Sequence, residues 1–459
     1  MTEKLLLSFD AGSLLLNAPE VGLPSGMSAV WWRWDPRIRQ WRSYAQHYRE
    51  ILTQLHRSGH PYEDRAKAYG NLELRHRLLR TPHPFQTEAL EAWRQAGRRG
   101  LVVLPTGAGK SYLAELAMID AARASLIITP TLDLMNQWHD NLSSAFEQEI
   151  GLLGGGYHEL RAITVSTYDS AHLYMERYGD RFGLLIFDEC HHLPSPTYSY
   201  AAQCAMAPFR LGLTATPERS DGAHRLLDSL VGPEIYRRDI KDLAGEFLAE
   251  YQVIRLEVEL PEAEFEAYQE ARACFRAFLE AYKIPISAPD GFRRFLRLST
   301  RSEEGREAFR AFRRSRTLAL AASSKLEVLH RLIRQHRQDR MLIFTHENSM
   351  VHEISRRFLV PTITHQTDVK ERREILEGFR QGTYPVIATS RVLNEGVNLP
   401  NASVGVILSG SGSVREHVQR LGRILRRQGD KQATLYEVVT RRTMEERLSE
   451  RRRDHDAYR

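Results

Sequence analysis

Two short segments of the chain hold residues whose types and spacing suit phosphate chemistry. The first is the glycine-containing segment Leu104–Ser111, and the second is the acidic segment Asp188–His191. Each follows an apolar run that predicts a buried strand, and parallel strands end at the same edge of a sheet. The order therefore predicts a phosphate-binding loop and a pair of acids on one sheet edge, an arrangement that hydrolyses ATP.

The segment Leu104–Ser111 has the features of a phosphate-binding loop. Gly107 and Gly109 allow a tight turn whose amides point at a phosphate. Lys110 would reach the terminal phosphates, and the hydroxyl of Ser111 would ligate Mg²⁺. Because Leu104 stands where the strict pattern has a glycine, an ordinary glycine turn before a helix is the alternative. The predicted nucleotide-binding residues of the loop are Thr106, Gly107, Ala108, Gly109, Lys110 and Ser111.

The two acids are predicted to divide the work of hydrolysis. Asp188 would hold Mg²⁺ through its water shell, and Glu189 would orient or deprotonate the attacking water. A pair of solvated strand-end acids is one alternative. A metal site made of Cys190, His191 and His192 is another, but adjacent side chains diverge and the sequence offers no partnering cysteine pair.

A third candidate is the arginine-rich stretch 419–427, whose pattern predicts a helix. Arg423 and Arg426 are three residues apart and would project from one face. Such a pair could meet the γ-phosphate from across a cleft and stabilise the charge of the transition state. A basic surface helix is the alternative.

The elements that must position these residues follow a repeating α/β pattern. Apolar runs alternate with amphipathic stretches from Gly100 onward, and the pattern begins again near Ser323. A chain of 459 residues is expected to hold about two to four domains. We predict an α/β fold with a small N-terminal domain at residues 1–80, a first parallel-sheet domain at 81–240, a linker and helical insertion at 241–320, and a second parallel-sheet domain at 321–459.

Composition bounds the class and the partners of the protein. With 42% hydrophobic and 27% charged residues the chain is typical of soluble proteins, and no apolar run is long enough for a membrane span. The N-terminus lacks the features of an export signal, and three cysteines fit a reducing compartment, so we expect a cytoplasmic protein. The net charge of +6 favours a polyanionic partner, and residues 291–318 alone combine nine arginines with three glutamates.

The motifs and their order resemble those of superfamily 2 helicases, most closely the XPB-type DNA helicases, over residues 82–439. The resemblance implies two tandem RecA-like motor domains, an N-terminal domain like the damage-recognition domain of that family, and a thumb-like insertion. It implies ATP and Mg²⁺ as cofactors, DNA as the partner, and movement on or unwinding of DNA from 3′ to 5′ in DNA repair. Prokaryotic members of this compact size are associated with a nuclease, so a nuclease partner is also implied.

The resemblance also assigns roles to individual residues. Gln86 lies in a segment similar to the motif that contacts adenine. The implied catalytic set is Lys110, Asp188, Glu189, Gln419, Arg423 and Arg426. Nucleic acid would be contacted by Thr131, Thr167, Arg219, Asp221, Arg294, Arg313, Thr345 and Thr389. Hydrolysis would be coupled to movement through His191, Thr214, Thr216, Glu395 and Gly396.

Two places leave alternatives open. Ser220 replaces the central acid of the Arg-Glu-Asp element that separates strands in the family, so the wedge role of Arg219 and Asp221 stays undecided. The insertion interleaves phenylalanines with its arginines, and these rings could either stack on bases or form the core of a helical arm. The four phenylalanines are Phe292, Phe295, Phe309 and Phe312.

Other functions compete with a DNA helicase. A duplex translocase that does not unwind DNA would carry almost the same motifs. An RNA helicase is possible because such motors grip the backbone, although the Asp-Glu-Cys-His string and the insertion argue against the commonest RNA class. A non-catalytic ATP-gated module is disfavoured, because it would be expected to have lost Lys110, Glu189, Arg423 or Arg426.

Overall fold

The computed structural model describes residues 4–19, 22–77, 80–219, 221–243, 245, 247, 251–288, 290–390, 402–410 and 433–453. The chain forms two compact units that divide at Asp242 and Leu243. Among the described residues, none of the helices combines the length and the apolar composition that crossing a membrane requires.

The first unit begins with a small five-stranded sheet. Its strands are β1 (Leu5–Asp10), β2 (Ser13–Asn17), β3 (Arg33–Asp35), β4 (Gln40–Tyr44) and β5 (Tyr62–Asp64), and helix α1 (Tyr48–Ser58) precedes β5. The order is β3-β4-β2-β1-β5, and only the β1–β5 pair is parallel. Leu7, Leu14 and Leu16 point inward and are fully buried, because alternate side chains of a strand face the same side.

An eight-stranded sheet forms the rest of the first unit. Its strands are β6 (Arg99–Val103), β7 (Ser125–Thr129), β8 (Ile150–Gly154), β9 (Tyr157–His158), β10 (Ile163–Thr167), β11 (Leu184–Asp188), β12 (Phe209–Thr214) and β13 (Glu234–Arg237). The order is β13-β6-β12-β11-β7-β10-β8-β9, and every pair except β8–β9 is parallel. Its helices are α2 (Pro84–Gln95), α3 (Lys110–Ala121), α4 (Leu132–Ala145), α5 (Tyr168–Tyr178), α6 (Pro196–Gln203), α7 (Leu227–Leu230) and α8 (Ile240–Leu243).

The two sheets of the first unit share one hydrophobic core, although the sequence predicts a separate small domain. Leu7 and Leu14 belong to the same buried cluster as Leu126 and Phe187 of the larger sheet. Polar contacts join the two parts as well, since Arg99 Nη1 pairs with Glu50 Oε1 at 2.9 Å and Arg49 Nη1 donates to the carbonyl of Gly97 at 2.7 Å. The N-terminal sheet is therefore packed onto the larger sheet.

The second unit contains a six-stranded, all-parallel sheet. Its strands are β14 (Tyr251–Val258), β15 (Met341–Phe344), β16 (Thr362–Ile363), β17 (Val386–Thr389), β18 (Val404–Ile407) and β19 (Ala433–Thr440), in the order β14-β19-β18-β15-β17-β16. Helices α12 (Ser324–Gln335), α13 (Asn348–Phe358), α14 (Val369–Gln381) and α15 (Met444–Arg453) belong to this unit. The predicted parallel-sheet α/β class is confirmed, whereas the predicted domain boundaries stay predictions.

Three helices form an arm between β14 and α12. They are α9 (Glu262–Ala281), α10 (Gly291–Ser299) and α11 (Glu303–Leu320). Phe275, Phe278, Ile284, Phe295 and Ala308 form the buried core of the arm, with Phe309 and Phe312 packed against it.

A buried ion pair fixes the base of the arm. Lys325 Nζ lies 2.6 Å from Glu445 Oε2, and both side chains are fully buried. The same ammonium donates to the carbonyls of Leu320, where α11 ends, and of Leu408, just after β18. Glu445 Oε2 also accepts the amide of Thr440 at 2.9 Å. One pair of charges therefore ties together the end of the arm, the sheet and α15.

Removing the lysine alone should destabilise the second unit. Lys325→Met leaves the carboxylate of Glu445 buried without its cation, which costs about 3–5 kcal/mol. Adding Glu445→Gln should recover most of this loss, because the amide is neutral and its oxygen still accepts from Thr440. Lys370→Met, at an exposed position of α14, is the matched control.

Urea unfolding followed by two signals can distinguish the unfolding of the two units. All six tryptophans lie at or before Trp138 and therefore belong to the first unit, so tryptophan fluorescence reports on that unit alone. Lys325→Met should move a transition seen by far-ultraviolet circular dichroism to lower urea and leave the tryptophan fluorescence transition in place. Equal movement of both transitions, or no movement of either, would contradict this assignment.

Candidate active site

Three neighbouring strands deliver the candidate catalytic residues to one edge of the large sheet. The phosphate loop follows β6, the acids follow β11, and Thr214 ends β12, which lies between β6 and β11. The amide of Leu104 donates to the carbonyl of Thr214 at 3.0 Å. Because β6, β12 and β11 are parallel, their carboxyl ends meet at the same edge.

The loop after β6 has a backbone shaped to hold an anion. Gly107 and Gly109 adopt φ values of 91° and 76°, which disfavour residues with a side chain. Helix α3 begins at Lys110, so its free amides open onto the loop. Lys110 Nζ donates to the carbonyls of Leu104 at 3.1 Å and Pro105 at 3.4 Å, and the hydroxyl of Thr106 is buried with no hydrogen-bond partner among the described residues. These donors suit a phosphate group.

Gln86 supports the loop from beneath. Its Nε2 donates to the carbonyls of Ala108 at 3.3 Å and Gly109 at 3.2 Å, while its Oε1 accepts the amide of His83 at 2.9 Å. A Cβ on Gly109 would lie 2.5 Å from Gln86 Nε2, so a side chain there would displace this amide in addition to straining the positive φ. The adenine contact of Gln86 stays a prediction, and its side chain already makes three of its four possible hydrogen bonds.

Asp188 is buried and held by Trp138 of α4. Asp188 Oδ2 accepts from Trp138 Nε1 at 2.8 Å, Oδ1 accepts the amide of Glu189 at 3.0 Å, and the hydroxyl of Tyr168 donates to the Asp188 carbonyl at 3.0 Å. Burial raises the pKa of the Asp188 carboxyl, opposed by the Trp138 hydrogen bond and by the positive charge of Lys110. No local sequence pattern signals the Trp138 contact, because the partners are far apart in the chain.

A buried histidine connects Glu189 to the end of β12. Glu189 has a φ of 45°, which is uncommon for a residue with a side chain. His191 is fully buried, and its Nδ1 lies 3.4 Å from Glu189 Oε2 and 3.0 Å from Thr214 Oγ1. Thr214 Oγ1 also accepts the amide of Thr216 at 3.2 Å. The structure therefore brings together the predicted hydrolytic acid, Glu189, and three of the predicted coupling residues.

The same histidine contacts the altered strand-separating element. Arg219 Nη1 donates to the carbonyl of His191 at 2.9 Å, while its Nε and Nη2 donate to the two oxygens of Asp221 at 3.0 Å and 2.6 Å. The Arg219 hydrogen bond is the largest of the causes that hold the pKa of Asp221 well below its usual range. Arg219 and Asp221 are thus bound to each other and to the backbone after β11.

Several predicted nucleic-acid contacts have other roles in the described structure. Thr131 and Thr167 cap α4 and α5, because their hydroxyls accept the amides of Leu134 at 3.3 Å and Ser170 at 3.2 Å. Thr345 and Thr389, in the second unit, are fully buried and bond within the protein, to Ser409 Oγ and the carbonyl of Ser390, each at 2.9 Å. Their contacts with nucleic acid stay predictions.

Most of the phenylalanines of the arm belong to its hydrophobic core. Phe295 is fully buried and Phe309 and Phe312 pack against the core, while Phe292 is 43% exposed. The core alternative therefore holds for three of the four rings. Arg294 and Arg313 are exposed, so the arm has an apolar interior and a basic surface.

Five of the predicted site residues lie outside the part of the chain that the structure describes. Gln419, Arg423, Arg426, Glu395 and Gly396 lie outside the described residues, so the pairing of the arginines with the phosphate site stays a prediction. Within the described ranges, no group of three or more His, Cys, Asp or Glu side chains could hold a metal ion.

Comparison with known proteins identifies the family. Three family models match this chain: the res subunit of Type III restriction enzymes at residues 80–219, the helicase conserved C-terminal domain at 324–428, and the xeroderma pigmentosum group B helicase damage recognition domain at 7–66. The chain is 40% identical to the DNA 3′-5′ translocase XPB2 of Sulfurisphaera tokodaii, over 88% of this chain and 98% of that protein. The chain belongs to the XPB-type superfamily 2 helicases. Members of this family are ATP-hydrolysing enzymes.

Other relatives are longer or more distant. The chain is 32% identical to the DNA 3′-5′ helicase XPB of Kineococcus radiotolerans and 30% identical to that of Mycobacterium tuberculosis, covering 60% and 59% of their lengths and matching over 79% and 76% of its own. The crystal structure of the Hef helicase domain of Pyrococcus furiosus has a TM-score of 0.51 at 17% identity, and the match covers 80% of this chain and 97% of that one. The last likeness shows the fold alone.

The hydroxyl of Thr214 should be required for efficient hydrolysis. Thr214→Val keeps the shape of the side chain but removes the acceptor for the Thr216 amide and the polar partner of His191 Nδ1. Misplacing Glu189 through this link should lower kcat of ATP hydrolysis about ten- to hundredfold, with little change in nucleotide affinity.

Thr164→Val is the matched control for this prediction. Thr164 is equally buried, but its hydroxyl bonds to the backbone of Arg161 at the opposite edge of the same sheet. The control should keep the rate of the unmodified protein. Equal rates in the two variants would show that the His191 link does not position Glu189.

Proposed function

We propose that this chain is an ATP-driven DNA translocase or helicase that moves from 3′ to 5′ and acts in DNA repair. The observation that carries the proposal is the contact of His191 with both Glu189 and Thr214. Through it, the acid suited to activating water touches the segment suited to coupling hydrolysis to movement. The similarity to the XPB2 translocase of Sulfurisphaera tokodaii supports DNA as the track.

The residues at the sheet edge have distinct tasks in this proposal. The loop amides and Lys110 bind the phosphates of ATP, and Lys110 exchanges its loop carbonyls for phosphate oxygens when it does so. Glu189 orients a water for attack on the γ-phosphate and takes its proton. The Ser111 hydroxyl and the Asp188 carboxylate are the hard oxygen ligands that Mg²⁺ prefers, and the ion would offset phosphate charge.

The second parallel-sheet domain completes the proposed cycle. Arg423 and Arg426 stabilise the charge that develops on the γ-phosphate, as arginine fingers do. Binding of ATP closes the two motor domains and hydrolysis reopens them. This step is supported by membership of the superfamily and by the spacing of the two arginines.

A translocase that does not separate strands is a second candidate. Arg219 and Asp221, the two family-matching residues of the altered wedge, are bound to each other, and Arg219 also donates to the carbonyl of His191. Bound in this way, the Arg219 guanidinium, whose side chain is 24% exposed, is less available to a DNA fork than an unbound side chain would be. The relative with the highest identity quoted above also carries the name translocase.

The proposal extends to partners and location. Single-stranded DNA, or duplex DNA with a single-stranded tail, is the proposed track, and a nuclease that cuts the remodelled DNA is the proposed protein partner. A cytoplasmic location is proposed because all three cysteines are free, as expected in a reducing compartment.

Hydrolysis should depend on both DNA and the two catalytic side chains. Lys110→Ala and Glu189→Gln should each lower DNA-stimulated ATP hydrolysis at least about a hundredfold, because they remove phosphate charge neutralisation and water activation. Glu189→Gln should still bind ATP. Glu147→Gln, at an exposed position, is the matched control, and DNA-independent turnover or activity in both variants would reject the motor.

Tailed duplexes should distinguish a helicase from a duplex translocase. A 3′-to-5′ helicase displaces the complementary strand only from a substrate with a 3′ tail, whereas a translocase shows DNA-stimulated hydrolysis without displacement. The measurement is strand displacement on 3′-tailed, 5′-tailed and blunt duplexes, with triplex displacement as the readout of duplex translocation. Displacement that requires a 5′ tail would contradict the proposed direction.

A further inference from the structure

A basic cavity of about 520 Å³ lies in the second unit, between α9 and the start of α15. All of its lining residues belong to that unit, whereas the phosphate loop belongs to the first. The charged side chains that line it are Arg272, Arg276, Arg442, Arg447 and Glu446.

The arginines that line this cavity outnumber its single carboxylate four to one. Within the ranges that the structure describes, none of the four arginines is paired with a carboxylate side chain. Arg272 Nε is shielded from water and has no hydrogen-bond partner there. Burial is the largest cause that lowers the pKa of the Arg272 guanidinium, and the nearby charges of Arg276 and Arg447 lower it further. A bound anion would satisfy this donor and offset the like charges.

The single acidic side chain of the cavity, Glu446, accepts a hydrogen bond from the backbone. Glu446 Oε2 accepts the amide of Arg442 at 3.1 Å and lies in the first turn of α15, where the helix dipole favours a negative charge. Arg442 itself has a φ of 58°, a left-handed conformation that is costly for a residue with a side chain. The bond to Glu446 holds this turn, so Arg442 stays beside the cavity.

Aromatic and aliphatic groups form the remaining wall. Tyr268 is buried and its hydroxyl accepts the amide of Met444 at 2.9 Å, which fixes α9 against the start of α15. Phe265 and Met444 lie beside it. Two elements fixed to each other therefore line one space with cationic donors and an apolar wall.

We propose that this cavity binds the phosphate group of a nucleotide unit. The planar guanidinium matches phosphate oxygens with paired donors, and the apolar wall suits the sugar or base attached to a phosphate. The phosphate belongs either to the backbone of DNA lying along the arm or to a small phosphate compound. In the first case the inference rests on the proposed function, for which it supplies a grip at the base of the arm.

Equilibrium DNA binding tests the first source without any need for hydrolysis. The test variant is Arg272→Ala/Arg447→Ala, and the control is Arg331→Ala/Arg334→Ala, which removes the same charge from exposed positions of α12. The probe is a fluorescein-labelled 3′-tailed duplex, measured by anisotropy at several salt concentrations without nucleotide. Each lost phosphate contact should reduce the slope of log affinity against log salt by about 0.9.

We expect the test variant to bind DNA at least about fivefold more weakly than the control near 0.1 M salt, with a slope reduced by about 1 to 2. Arg272→Lys/Arg447→Lys retains both charges but not the paired donors, and should fall between the two. Circular dichroism should be unchanged in the lysine variant, which keeps the test valid if the alanine variant does not fold.

Calorimetric titration with pyrophosphate tests the second source. Lys110→Ala is the background for this titration, so that the phosphate loop contributes little. Pyrophosphate binding that the cavity variants abolish and the control retains, with DNA binding unchanged, would assign the site to a small phosphate compound. If neither DNA nor pyrophosphate binding differs between cavity variants and control, the proposal is wrong. Both measurements are equilibrium affinities and do not require ATP hydrolysis. An absence of DNA-stimulated hydrolysis would therefore reject the proposed motor without changing the conclusion about this cavity.

Discussion

The buried imidazole of His191 is the contact on which the first sheet edge depends. Its Nδ1 lies close to both Glu189 Oε2 and Thr214 Oγ1, and the backbone carbonyl of His191 accepts a hydrogen bond from Arg219. These residues follow two adjacent parallel strands, so a shift of either strand end moves Glu189 relative to the phosphate loop. The φ of 45° at Glu189 is a local cost that persists because the surrounding contacts fix it. A residue held in this way has a fixed position, which suits the water-activating role proposed for Glu189.

The two units are held together internally in different ways. The N-terminal sheet shares its core with the large sheet, so the two parts of the first unit behave as one scaffold. In the second unit, the arm has a small core of its own, and its end is tied to the six-stranded sheet by the Lys325–Glu445 pair. A buried ion pair is a weak source of net stability, but it is sensitive to the exact placement of its partners. The pair therefore joins the base of the arm to the sheet, while the outer part of the arm has a hydrophobic core of its own.

The sequence predicts the strand ends better than the contacts between them. Phosphate loop and acids were recognisable because a continuous apolar run marks each buried parallel strand, and their chemistry lies directly after the run. The sequence analysis does not predict strand β14. Its segment Tyr251–Val258 mixes the polar residues Gln252, Arg255 and Glu257 with apolar ones, as an edge strand can. No local pattern predicts the hydrogen bond of Trp138 to Asp188 or those of Gln86 to the loop carbonyls. These contacts form only because the fold brings distant segments together.

The arm shows why its charge and its aromatic rings need separate explanations. Helical spacing places Phe295, Phe309 and Phe312 toward α9, where burial stabilises the arm, and that same spacing turns Arg294 and Arg313 outward. The arginines therefore lie on the surface because the phenylalanines fill the core. Stacking of the rings on bases is not needed to explain the positions of the arginines or of the phenylalanines. A surface of this kind interacts with a polyanion through phosphate charge, without reading bases. Any grip of the arm on DNA should accordingly weaken with salt and be nearly indifferent to sequence, as a motor that moves along its track requires.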